Sequence, residues 1–215
     1  MRQVDGYCER MGPEYWAEPL NAVTNIAFVL AAIVMWQRSA GVPMARALCC
    51  VLGAIGAGSY LFHTHAQVWA GLADVVPIAA FILLYLFAIN RDALGVSGWV
   101  ALGFTALFIP YAAMMVPVFQ IIPGFGASAG YAPVPLLILI YAAFLRHRAP
   151  VLARGMASGA LLLIVSLIFR ALDEPLCTTW PFGTHFMWHL LNGVMLGWMI
   201  EVYRRHRLGK AAHAR

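Results

Sequence analysis

The chain is short of charge. Asp, Glu, Lys and Arg make up only 11% of its 215 residues, while 62% are hydrophobic and the mean hydropathy is +0.78. Soluble domains carry about a quarter charged residues, so this chain has too little polar surface to cover itself in water. That excludes an ordinary soluble globular domain and makes lipid part of the solvent. Internal repeats, low-complexity segments and long linkers are also missing, so one domain is expected over residues 1–215. The first 19 residues lack a basic stretch followed by an apolar one and hold Asp5, Glu9, Glu14 and Glu18 instead. No cleaved signal peptide is therefore expected, and the first hydrophobic segment should itself direct insertion.

What is present is a series of long apolar runs. A bilayer-spanning helix needs roughly 20 mostly apolar residues, and seven such runs fall at about 20–37, 43–62, 68–89, 99–119, 127–145, 151–169 and 184–203. The expectation is an all-α integral membrane protein, a seven-transmembrane helix bundle preceded by an acidic segment (1–19) and followed by a basic tail (204–215). Arginine and lysine gather in alternate links: Arg38 and Arg46, then Arg91, then Arg146, Arg148 and Arg154, then the tail from Arg204 to Arg215. The opposite links carry almost none. Basic residues are retained on the cytoplasmic side, which places the N-terminus outside and the C-terminus in the cytoplasm. The net charge of +5 is then a matter of topology and anionic headgroups, with no support for nucleic-acid binding. Short links and many Ala and Gly point to a bacterial inner membrane.

Of the four cysteines, Cys8 and Cys177 fall on the outer, oxidising side, where they are either bridged or two separate thiols. Cys49 and Cys50 lie inside a span and read as small apolar fillers.

Ionisable groups inside a membrane helix are costly unless paired, hydrated or metal-bound, which makes each a candidate for function. His63 closes the second span at its outer end, Asp74 sits about two turns into the third from the same side, and His185 and His189 open the seventh. The i, i+4 pair puts two imidazoles on one helix face. With His63 they form a three-ligand zinc set with an open fourth position, the pattern of a catalytic site. The alternatives are hydrogen-bonded core histidines or interfacial ones among aromatics. Ser59, one turn before His63, either donates to an oxyanion or bonds a backbone carbonyl. His65 faces another direction and reads as a link or supporting residue. Arg170 and Asp173 suggest a structural ion pair holding Cys177 and the start of the seventh helix, while Asn21 and Asn25 either support the metal site or join helices. Pro77, Pro110, Pro117, Pro133 and Pro135 are expected to kink or end helices.

These residues carry a resemblance. Tyr7-Cys8-Glu9 with Glu18-Pro-Leu-Asn21 and Asn25, Gly58-Ser59-Tyr-Leu-Phe-His63 with Asp74, Arg170-Ala-Leu-Asp173 with Cys177, and His185-Phe-Met-Trp-His189 together resemble the alkaline ceramidase family. That family lies within the seven-helix membrane hydrolases that also include adiponectin-receptor-like proteins, and the resemblance runs nearly end to end. It implies a zinc-dependent amidase that cleaves the N-acyl bond of ceramide, a membrane lipid substrate, near the non-cytoplasmic face. His63, His185 and His189 would hold zinc, Asp74 would orient and deprotonate the attacking water, and Ser59 would stabilise the oxyanion. Cys8 and Cys177 would be bridged. The family also binds calcium in its acidic N-terminal segment, for which Asp5, the Tyr7 carbonyl, Glu9 and Glu18 are the matching ligands here. The pattern departs at Gly6, where an acidic residue is expected, and at Met11, which replaces an Asn. A solvated acidic cap is the other account. Two further functions fit the residues: a related hydrolase acting on another N-acyl or ester lipid, and a non-catalytic receptor that keeps zinc for structure. Asp74 and Ser59 favour an enzyme.

Overall fold

The computed structural model describes residues 3, 4 and 6–213, and among them the only regular structure is helical apart from one isolated bridge between Gln3 and Gln67. The helices are α1 (Pro19–Thr24), α2 (Ile26–Arg38), α3 (Pro43–His65), α4 (Val68–Asp92), α5 (Gly98–Ala106), α6 (Phe108–Gln120), α7 (Pro133–Leu145), α8 (Pro150–Leu176) and α9 (His185–His213). Four of them, α1, α3, α7 and α8, open on a proline. Its fixed φ suits the first turn, and the N–H it lacks would have had no partner there. Five segments are long and apolar enough to cross a membrane: Pro19–Arg38, Pro43–His65, Val68–Asp92, Gly98–Gln120 and Pro150–Leu176. In α9 two histidines, Asn192 and Glu201 interrupt the apolar pattern.

The helix bounds depart from the sequence expectation in five places: α8 runs on to Leu176, past the expected end at residue 169, and the other four each have a local reason. The first run is two helices, broken at Asn25. The Asn25 amide donates to the Asn21 carbonyl at 2.8 Å and the Thr24 hydroxyl to the Leu20 carbonyl at 2.7 Å, so side chains compete for carbonyls that the helix would use. The fourth run is split at Leu107, because Pro110 has no N–H to give the Ala106 carbonyl. The fifth helix begins at Pro133, not at residue 127, after a single 3-10 turn at Gly126–Ser128. The basic tail is no separate segment: α9 continues through it to His213, with Arg204 and Arg205 paired to Glu201 at i+3 and i+4. Pro77 and Pro117 sit inside α4 and α6.

Consecutive helices pack as neighbours, and α9 closes against both α8 and α2. Leu48, Leu52, Ile55, Ile89, Leu145, Met156, Leu167 and Ile200 fill the interior, while Ile26, Leu30, Val76, Ile109, Leu161 and Val194 face outward. Glycine sets the closest approach. A Cβ on Gly58 would stand 2.0 Å from the Ala73 carbonyl oxygen, so only glycine lets α3 and α4 meet there. That contact brings Ser59 and Asp74, the next residue on each helix, to one level.

A candidate metal site beneath the N-terminal strap

The segment before α1 is a strap over one end of the bundle. It is tied down by the Cys8–Cys177 disulfide, with Cα atoms 5.3 Å apart, and by Asp173. One Asp173 oxygen accepts the Cys8 N–H at 3.0 Å, and the other accepts the N–H groups of Thr184 at 2.6 Å and His185 at 2.8 Å. A single carboxylate therefore anchors the strap and caps the first turn of α9, where the helix dipole favours negative charge. The sequence reading had paired Asp173 with Arg170. The Arg170 guanidinium instead lies over the rings of Tyr131 and Trp188 and reaches the Tyr7 hydroxyl.

His63, His185 and His189 meet under the strap. All three are buried, each offers one ring nitrogen, and those nitrogens lie within 4.8 Å of one another. One nitrogen of each ring, Nε2 of His63, Nδ1 of His185 and Nε2 of His189, is buried with no hydrogen-bond partner among the described residues. Buried polar atoms are nearly always paired, so an unpaired nitrogen on each of three rings that meet fits a site for a metal ion. The reverse sides of two rings are held. His63 Nδ1 lies 2.6 Å from Glu18 Oε2 and His189 Nδ1 lies 3.0 Å from the Thr24 hydroxyl. Donating the Nδ1 proton fixes each tautomer so that the Nε2 lone pair points to the centre. Tyr7 stacks on His185 with ring centroids 3.8 Å apart and covers the site from the strap.

Glu18 and Glu9 are occupied by protein donors. Glu18 accepts from Arg10 Nε at 2.5 Å, from the Asn21 amide at 3.2 Å and from His63. Burial would raise its carboxyl, but His63 and Arg10 outweigh that and hold it below the usual range. Glu9 caps α1 through the N–H groups of Leu20 at 2.6 Å and Asn21 at 2.8 Å. Burial raises its carboxyl against the pull of those donors. The Tyr7 carbonyl accepts the Arg10 N–H at 3.2 Å. The oxygens expected to hold calcium are thus engaged in joining strap, α1 and α3, and Asp5 lies outside the described residues.

Asp74 lies within electrostatic reach of His63 and Arg170, with Ser59 of α3 as its neighbour at the Gly58–Ala73 contact. His65 turns away: its Nδ1 meets the Thr64 hydroxyl, and its ring packs on Trp69. Asn21 and Asn25 support the helix break and the Glu18 bond. Below the histidines a narrow apolar cleft of about 80 Å³ runs between α4, α7 and α9, lined by Phe28, Phe81, Tyr131, Trp188 and Met195 among others. Sequence spacing missed Tyr7 as a lid, Thr24 altogether, the bond from Cys8 to Asp173, and the use of Glu18 on His63. Only the acidic Glu18 flanking a metal-type histidine set gave any signal.

A membrane-type helical bundle with a buried three-histidine site able to hold a metal ion, a neighbouring carboxylate and an apolar cleft defines a class of lipid-active membrane proteins. The model of the Ceramidase family matches residues 6–213. The chain belongs to that family, the alkaline ceramidase family, and the sequence resemblance is thereby established. Among curated proteins no match is found.

Proposed function

We propose that this chain is a zinc-dependent membrane amidase that hydrolyses the N-acyl amide bond of ceramide to a sphingoid base and a free fatty acid. The observation that carries this reading is the trio of buried, unpartnered imidazole nitrogens beside Asp74 and Ser59, in a member of the Ceramidase family. Three neutral imidazoles suit zinc better than a hard, oxygen-seeking cation. When bound, zinc would supply Lewis acidity, polarising the amide carbonyl and making a water acidic near neutral pH.

The chain's own groups do the rest. Asp74 takes a proton from the attacking water as its oxygen bonds the acyl carbon, then delivers that proton to the amine as the C–N bond breaks. Ser59 donates a hydrogen bond to the carbonyl oxygen as charge grows there. The apolar cleft takes lipid chains, so the scissile bond rests at the level of the histidines. In the membrane, α1 with α2 and α5 with α6 each make one crossing and the other helices one apiece, giving a single domain of seven spans. The arginine-rich end faces the cytoplasm and the histidines the opposite side, where an oxidising compartment keeps the Cys8–Cys177 bridge. A bacterial inner membrane fits that arrangement.

Purified protein in detergent should retain about one zinc per chain and release fatty acid from N-acyl sphingoid bases. Asp74→Asn should keep the metal and lower turnover by about 10²–10⁴-fold. Unchanged turnover in that variant, or after chelation of the metal, would defeat the mechanism. Hydrolysis of N-acyl amino lipids without ceramide would reassign the substrate, and a metal-loaded chain inert toward the whole panel would indicate a receptor.

A further inference from the structure

A second concave site lies at the other end of α9. His189 and Arg205 are sixteen residues apart on that helix, roughly 24 Å at 1.5 Å per residue, so the two sites are separate. Gly155 lets α8 touch α9, since a Cβ there would meet Val202 at 2.6 Å. Toward the start of α8 the helices part and leave a groove of about 780 Å³.

Its lining is unusual in composition. Arg148 just before α8, Arg154 in its first turns, and Arg205, His206 and Lys210 from α9 surround it, and among the described residues no carboxylate lines it, although Arg205 is paired with Glu201. Arg148 and Arg154 are exposed and make no ion pair among the described residues. Lys210 donates to the Asp92 carbonyl at 2.6 Å and makes no ion pair among the described residues. His206 Nε2 is enclosed without a partner. Between these groups the surface is apolar, formed by Pro150, Val151, Leu152 and Val202, with Trp198 at its edge. The Trp198 N–H is already used on the Gly155 carbonyl, so the ring offers only apolar surface. The groove opens beside the outward-facing apolar residues Val151, Leu161 and Val194.

We propose that this groove binds one anionic phospholipid, its phosphate held by Arg148, Arg154 and Lys210 and its first acyl carbons laid over Val202 and Trp198. A soluble phosphate would satisfy the cations and leave the apolar floor unused, and a zwitterionic lipid would bring its own cation against three others. Guanidinium forks suit the phosphate diester, and a basic cluster beside a membrane helix attracts anionic headgroups. The assignment is independent of the reaction at the histidines.

The test uses the full chain in phosphatidylcholine nanodiscs with added phosphatidylglycerol, followed by native mass spectrometry of retained lipid. One phosphatidylglycerol should stay bound, and the double variant Arg148→Gln/Arg154→Gln should weaken it by roughly tenfold or more. Arg38→Gln/Arg46→Gln removes the same charge at the same end but outside the groove and should weaken it far less. Circular dichroism melting establishes that both variants fold. Equal loss in the two variants, equal retention of phosphatidylcholine, or full displacement by millimolar glycerol phosphate would each overturn the proposal.

Discussion

In its first two turns α9 carries His185 and His189, whose inward nitrogens have no protein partner, whereas three to four turns further on it carries Glu201 and Tyr203, whose oxygens are held by neighbours. Glu201 accepts from Arg38, Arg204 and Arg205, and Asp92 accepts from Arg91 and from the Tyr203 hydroxyl at 2.5 Å. Both places bury polar groups, at similar desolvation cost. The carboxylates recover that cost inside the protein, by tying α2 and α4 to α9. The unpaired imidazole nitrogens have no such recovery among the described residues. Burial alone therefore does not mark a functional group in this bundle, and neither does one unpaired atom such as the Tyr85 hydroxyl; unpaired nitrogens on three rings that meet are the stronger mark.

This contrast can be broken by substitution. The largest effect is expected for His189→Ala, which leaves two ligands and should reduce bound metal from about one per chain to near zero, read by elemental analysis. The metal-free protein should still fold, with a lower melting temperature because the ring's packing and its bond to the Thr24 hydroxyl are lost; a collapse of the metal-free protein would place His189 with the structural group. Glu18→Gln comes next. It keeps a hydrogen bond to His63 but removes the charge that raises ligand basicity, and should weaken metal binding by about 10–100-fold in competition with a chelator. Tyr203→Phe, at the other end, should leave metal content untouched and lower stability by about 1 kcal/mol in thermal unfolding. Metal loss in Tyr203→Phe would mean that the two ends are coupled and the contrast is false.

The site was legible in the sequence to the extent that helix periodicity and membrane energetics are local. His185 and His189 share a face by spacing alone, and charge alternation along the chain aligns His63 and Asp74 with them in depth. Cys8 and Cys177 emerged from the same alternation with their pairing open, and the structure joins them. What escaped depends on chain segments far apart. Thr24 and His189 are 165 residues apart, as are Cys8 and Asp173, and no pattern in either segment announces the other. Glu18 was read either as a calcium ligand or as part of a solvated acidic cap, and neither reading announced that Arg10 and His63 fold onto it. The helix bounds failed where single side chains overrule hydropathy: Asn25 and Thr24 loosen an apolar run, and Pro110 and Pro133 leave carbonyls with no N–H to accept.

The double duty of Asp173 has a consequence for how the site assembles. Its one carboxylate holds both Cys8 and the opening of α9, so it joins a segment far back along the chain to one just beyond it. The histidine trio and its lid therefore come together only once the strap, α8 and α9 have all docked, and neither the lid nor the His185–His189 pair is placed independently of the other.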